Sequence, residues 1–524
     1  MKALWTALGL AAGLLMTGLP QAAAEKTEIV PPQILEGYRL VEDWRTEEAD
    51  ALSLSLLEKY PKLGDAHFLR AKVEFFKGNY EHAWKILKHV DNQHRPIREF
   101  KVLVNETQKA ASHFISRESE HFIFRFVQGA DEILIPYAKK VLERSYQVLG
   151  ELFDYHPRGK VLVEIYPNRE PLSQVSPLTR KDILISGTVA LCKYNRIMLI
   201  SPASLVRGYN WMDTLSHEYI HYLLTKKSHN NLPLWMHEGI AKHFESRWRE
   251  GGAFLSPLME TVLASGLAND YLVSLESMMP SLAKLKTQED VQLAYAEVAT
   301  MMDFLIQEKG ERVFSLFLKD LAEGQPFESV FPNRAGMDLP VFQERWKQFM
   351  SQKNLNSIPG LRPLQTRFKT DRSDTGDEKD YREVGTGRTQ DLTFLGDILK
   401  SRNQLKAAIL EYEKALRENR TESPILYNKL AGVHLIIKEY DKAEILLKKS
   451  LRHYPDFHTT LANLGELYFQ MEKFQQAREY FDRAARINPF NPVVHLRLIK
   501  IYEKLHLPKD KKLQAKLYSH IENQ

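Results

Sequence analysis

The sequence predicts a mostly helical protein in which antiparallel helical hairpins at both ends enclose a middle α+β domain, and three patterns predict it. One set of residues recurs 34 positions later near the C-terminus, and a fainter set with the same offsets stands near the N-terminus. Between them, alternating apolar runs give way to helical periodicity. At 524 residues, with 44% hydrophobic and 27% charged side chains, the chain has apolar material for about three packed domains and is not of the disordered class. Its 72 basic and 67 acidic residues leave a net charge of +5 with no basic stripe, which argues against nucleic acid as a partner.

Residues 1–24 read as a secretory signal: Lys2 supplies a basic start, Ala3 to Leu19 an apolar run, and Ala22-Ala23-Ala24 a small-residue cleavage site. The run is short for a bilayer span and holds three glycines, so cleavage is favoured over an uncleaved anchor. No cysteine stands near the cleavage site to carry a lipid, and no later segment is apolar enough to cross a membrane. The expectation is an exported protein, periplasmic or secreted, at most peripheral to the cell envelope. The single cysteine, Cys192, excludes an internal disulfide, and its apolar setting Val189-Ala190-Leu191-Cys192 predicts a buried structural residue.

Residues 25–112 are expected to be helical, because Pro61, Ala71, Ala83 and Leu87 keep the offsets of the C-terminal repeat. In 113–352, His121–Phe126, Lys160–Tyr166 and Arg196–Ser201 alternate as strands do, and Ile133–Phe153 is helical between the first two. From Trp211 onward helices take over, which predicts a small sheet beside a helical lobe. The stretch 353–390 is polar, holds glycines and lacks apolar periodicity, as a linker does.

In 391–524, Leu430-Ala431, Ala443 and Pro455 recur as Leu464-Gly465, Ala477 and Pro489, joined by Tyr468, Phe481 and Ala484. An earlier copy holds Leu395-Gly396, Ala408, Tyr412 and Ala415, and a final half-unit runs from Pro492 to Lys504 before Pro508 and a polar capping helix. Small residues let two helices approach, and Leu447 and Phe481 fill the groove between neighbouring units. Period and residue order resemble the tetratricopeptide repeat, which implies protein partners along the superhelix.

Chemistry is concentrated in Asp213-Thr-Leu-Ser-His217-Glu218-Tyr-Ile-His221, an H-E-x-x-H in helix-compatible surroundings. Positions four apart lie one turn above each other, so His217 and His221 can present imidazoles to one ion while Glu218 flanks it as a base. A catalytic zinc wants three protein ligands and an open position. After a polar turn from Thr225 to Asn231, Pro233 suits the start of a second helix that carries Glu238, with His237 and Glu245 as competing donors. Tyr295 is a candidate oxyanion donor or a core residue, and His243 an outer or surface residue.

SHEYIHYLL followed by LPLWMHEGIAKHFE is similar to the gluzincin-type, peptidase-MA-like zinc metallopeptidases, over about Ser116 to Met350. The resemblance implies an α+β zincin-like domain, one zinc ion per chain on His217, His221 and Glu238, and Glu218 as general base. The expected activity is peptide-bond hydrolysis, with the repeats recruiting a protein substrate or partner. The competing expectation is an inactive envelope adaptor with a vestigial or structural zinc site.

Overall fold

The computed structural model describes residues 31–91, 94–369 and 383–522; the signal at 1–24 and linker residues 370–382 lie outside these. Among the described residues the architecture is helical hairpins on both sides of a five-stranded sheet with its own helical lobe.

The sheet runs β1 (Phe114–Glu118), β2 (Phe122–Val127), β3 (Val161–Tyr166), β4 (Ala190–Lys193) and β5 (Arg196–Ile200), in the spatial order β1-β2-β3-β5-β4. The pairs β1/β2 and β4/β5 are antiparallel, while β2/β3 and β3/β5 are parallel, the latter in register from Leu162 opposite Arg196 to Tyr166 opposite Ile200. The three strands read from sequence are β2, β3 and β5. The two that escaped, β1 and β4, are edge strands: β1 is half-buried to exposed along its length and β4 has one buried residue, so neither carries the apolar signal of a core strand.

Central β3 is buried throughout, yet contains Glu164. Its carboxylate lies 3.0 Å from Arg196 Nε on β5, with both side chains at or below 1% exposed. Tyr166 donates to the same carboxylate at 2.7 Å, and Tyr80, from the N-terminal helices, donates from the other side. A buried charge is retained only where such partners surround it. The partners here join the N-terminal hairpins to the sheet, and Phe75, Tyr80 and Tyr194 stack around the Arg196 guanidinium.

Among the described residues five helices, from Pro32–Glu42 to Arg95–Ala111, form the N-terminal part and share one apolar core with the sheet and the helical lobe. Eight helices from Gly387–Ser401 to Pro508–Glu522 form the C-terminal part. The small-residue rule holds at Gly465, where an added Cβ would stand 2.8 Å from the Phe481 ring, and at Gly396 against Tyr412 at 2.5 Å. The described part of the expected linker is docked: Phe368 bridges Leu205, and Leu361 packs with Leu426, Tyr454 and Phe457. Scattered single apolar residues anchor a strap without producing periodicity. No helix among the described residues is long and apolar enough to cross a membrane.

Candidate metal centre

The motif lies on the helix Trp211–Lys227, which is buried on nearly every side and packs between the helix Leu134–Phe153 and the β4 edge. Asn210 caps its start, accepting from the Asp213 amide at 3.5 Å. The helix runs to Lys227 and so extends into the turn expected from Thr225. After that turn comes Leu234–Phe244, with Pro233 as its N-cap residue. Gly239 faces the fourth helix of the lobe, Gln288–Lys309: a Cβ there would stand 2.6 Å from the Val298 carbonyl oxygen. The glycine is thus a helix-to-helix contact rather than merely a gap beside Glu238.

The structure brings His217, His221 and Glu238 together as a group of mutually close donor atoms. The two Nε2 atoms are 3.1 Å apart, and Glu238 Oε2 lies 3.5 Å from that of His217 and 3.4 Å from that of His221. Four-coordinate zinc with bonds of about 2.0–2.1 Å sets its ligands about 3.3–3.4 Å apart. The triangle fits an ion of that size, and its lone pairs converge: Glu238 Oε2 is buried without a hydrogen-bond partner of good geometry among the described residues. Burial alone would raise the Glu238 carboxyl, but His221 and His217 beside it hold it well below the usual carboxylate range.

The competing donors lie outside the triangle, behind the imidazoles. Glu245 Oε2 is 3.1 Å from His217 Nδ1, and Lys242 pairs with the same carboxylate. Glu245 is held down at about 2: burial opposes ionisation, but the charges of Lys242 and His217 prevail. His237 Nδ1 is 3.4 Å from His221 Nδ1, and burial together with His221 pushes its pKa down to about 3. Carboxylate and imidazole partners on Nδ1 fix the ring orientation and leave Nε2 to face an ion. His243 stands apart, its ring between Phe244 and Phe254.

Glu218 is 6% exposed, and its Oε2 has no hydrogen-bond partner among the described residues. Burial raises its pKa and the Glu238 charge adds to the effect, while His221 and His217 pull the other way. The backbone amide of Cys192, on β4, faces the carboxylate and adds a small lowering pull. Cys192 is half-buried, where the sequence predicts a buried residue, and its thiol is free. Tyr295, on Gln288–Lys309, stands beside the site with its ring centroid 6.2 Å from that of His217, and burial together with the charges of Glu238 and Glu218 raises its pKa.

A second bracket escaped sequence reading altogether. Asp213, one turn before His217, accepts from Trp248 Nε1 at 2.9 Å and Arg249 Nε at 3.0 Å. The start of the first ligand-bearing helix is thereby tied to the chain just beyond the second.

The family model described as the Peptidase MA superfamily matches residues 156–352, and one described as the tetratricopeptide repeat matches 422–489. The chain carries a Peptidase MA domain and tetratricopeptide repeats. The Peptidase MA match includes His217, Glu218, His221 and Glu238 and begins just before β3. YhcO, an uncharacterized protein of Bacillus subtilis, is 21% identical over 283 residues, 49% of this chain and 78% of its own length. The type IV pilus assembly protein PilF of Pseudomonas aeruginosa is 30% identical over 112 residues, 21% of this chain and 44% of PilF. Among solved structures, native yeast LTA4 hydrolase aligns at 12% identity over 77% of this chain and 66% of its own, with a TM-score of 0.31.

Proposed function

We propose that this chain is an exported zinc-dependent peptidase whose zinc ion is held by His217, His221 and Glu238, with Glu218 as general base. The observation that carries the reading is the donor triangle of 3.1, 3.4 and 3.5 Å beside a buried, unpartnered Glu218 oxygen. When bound, zinc supplies Lewis acidity toward a carbonyl and toward water. Glu218 accepts the proton of the attacking water and returns it to the departing amide nitrogen, a task suited to a carboxyl raised by burial. The Cys192 amide faces the Glu218 carboxylate, and Oε2 of that carboxylate, without a partner among the described residues, is left for that work. Tyr295 donates from its hydroxyl to the oxygen of the carbonyl under attack.

The domain limits follow the sequence: a signal at 1–24, helical hairpins at 25–112, the peptidase at 113–352, a linker at 353–390 and repeats at 391–524. The repeats recruit protein partners or substrates in the periplasm or outside the cell, a reading to which the relationship with the pilus assembly protein PilF lends support. The polar, evenly charged composition supports no nucleic-acid role.

The test is metal analysis of the full chain together with digestion of a broad peptide library. One equivalent of zinc and cleavage lost in Glu218→Gln is the expected result. Stoichiometric zinc without cleavage favours the adaptor reading with a structural site, and no metal binding overturns the peptidase reading and leaves the adaptor with a vestigial site.

A further inference from the structure

The repeat helices meet the peptidase lobe at the very segment that starts the motif helix. The C-terminal carbonyl of the repeat helix Phe474–Ile487 has no acceptor role left within its own helix, and that of Ile487 accepts from the Tyr209 amide at 3.2 Å. Gly208, at φ +67°, is pressed into the same seam: a Cβ there would stand 2.3 Å from the Ile487 oxygen and 2.9 Å from Asn488 Cβ. Tyr209 continues inward, its hydroxyl donating to the Ile200 carbonyl at the end of β5. Next in the chain, the Asn210 amide bridges Asp213 at 2.8 Å and the exposed Asp456 of a repeat loop at 3.3 Å.

A second contact reaches the same point from another direction. Leu517, on the last helix Pro508–Glu522, is 2% exposed and belongs to the peptidase core instead of the repeat core. Gln514 of that helix stands beside the Tyr137 hydroxyl, and the Tyr137 ring meets Trp211, the first residue of the motif helix, edge-on at 6.4 Å. Asp213 in turn ties that first turn to Trp248 and Arg249, beyond the helix of Glu238.

We propose that the repeat helices are a strut of the metal centre, seating the Gly208–Asp213 segment so that the two ligand-bearing helices hold their donors in register. The repeats are then part of the site's scaffold as well as a recruiting arm, and removing 391–524 would cost action on short peptides too. The proposal rests on the metal-site reading for its metal readout alone.

Two full-length variants unseat the strut from opposite sides: Gly208→Val crowds the seam, and Leu517→Asp loosens the last helix without touching the motif segment. Ile445→Ala, on an exposed face of the repeats, is the control. In proteins whose far-UV circular dichroism is unchanged, both are expected to speed amide exchange across 211–217. Both should also weaken zinc binding by about tenfold or more and alter the visible spectrum of the cobalt form, as loss of outer support at metal sites does. Unchanged exchange at 211–217 and unchanged metal affinity in both variants would overturn the strut. If the native protein binds no metal, the peptidase reading falls, and faster exchange in both variants still upholds the strut while unchanged exchange removes it.

Discussion

His217 Nδ1 lies 3.1 Å from Oε2 of Glu245, two helical turns beyond Glu238, so the second helix supplies both a donor to the site and the group that orients a donor on the first. Glu245→Ala is therefore expected to leave the fold intact and weaken zinc binding by about 10–100-fold. Competition titration with a chromogenic chelator reads the effect, and an unchanged affinity would show that the contact does not orient the ring.

Glu218→Gln is expected to retain stoichiometric zinc while turnover falls by about two to four orders of magnitude, the usual weight of a general base. His217→Ala loses the metal instead. Peptide cleavage surviving in Glu218→Gln would remove that residue from the chemistry.

Gly239→Ala places a methyl group 2.6 Å from the Val298 carbonyl oxygen, a distance backbone cannot yield to cheaply. The helix of Glu238 must move off Gln288–Lys309. A cost of about 1–3 kcal/mol is expected, seen as a lower midpoint in urea, with weaker zinc binding beside it. Both measurements matching the native protein would refute the close approach.

Glu297 is 1% exposed and accepts from the Val273 amide at 2.9 Å. Burial raises its pKa to about 8, against the pull of that amide and of Lys347. The folded state thus keeps a proton that the unfolded chain releases above the ordinary value of 4.5. Stability from this group is full below that value, declines as pH rises toward 8 and levels off beyond, a loss of about 4–5 kcal/mol across the window. Glu297→Gln should flatten that decline in unfolding free energy measured from pH 5 to 8; a parallel decline in both proteins would refute the assignment.

The sequence by itself determined what is periodic or local. The 34-residue offsets give the repeats, alternation gives β2, β3 and β5, and the four-residue spacing of His217 and His221 puts two imidazoles on one helix face. The Peptidase MA match over 156–352 includes β3, β5 and both histidines. Only the tertiary structure decided the rest, because those facts depend on residues far apart in the chain. Among Glu238, His237 and Glu245, all on or beside one helix, the crossing of two helices set Glu238 Oε2 against both Nε2 atoms and the other two against Nδ1. The backbone carbonyl of Ile487 acquires its partner, the Tyr209 amide, through packing, which leaves no mark on side-chain identity.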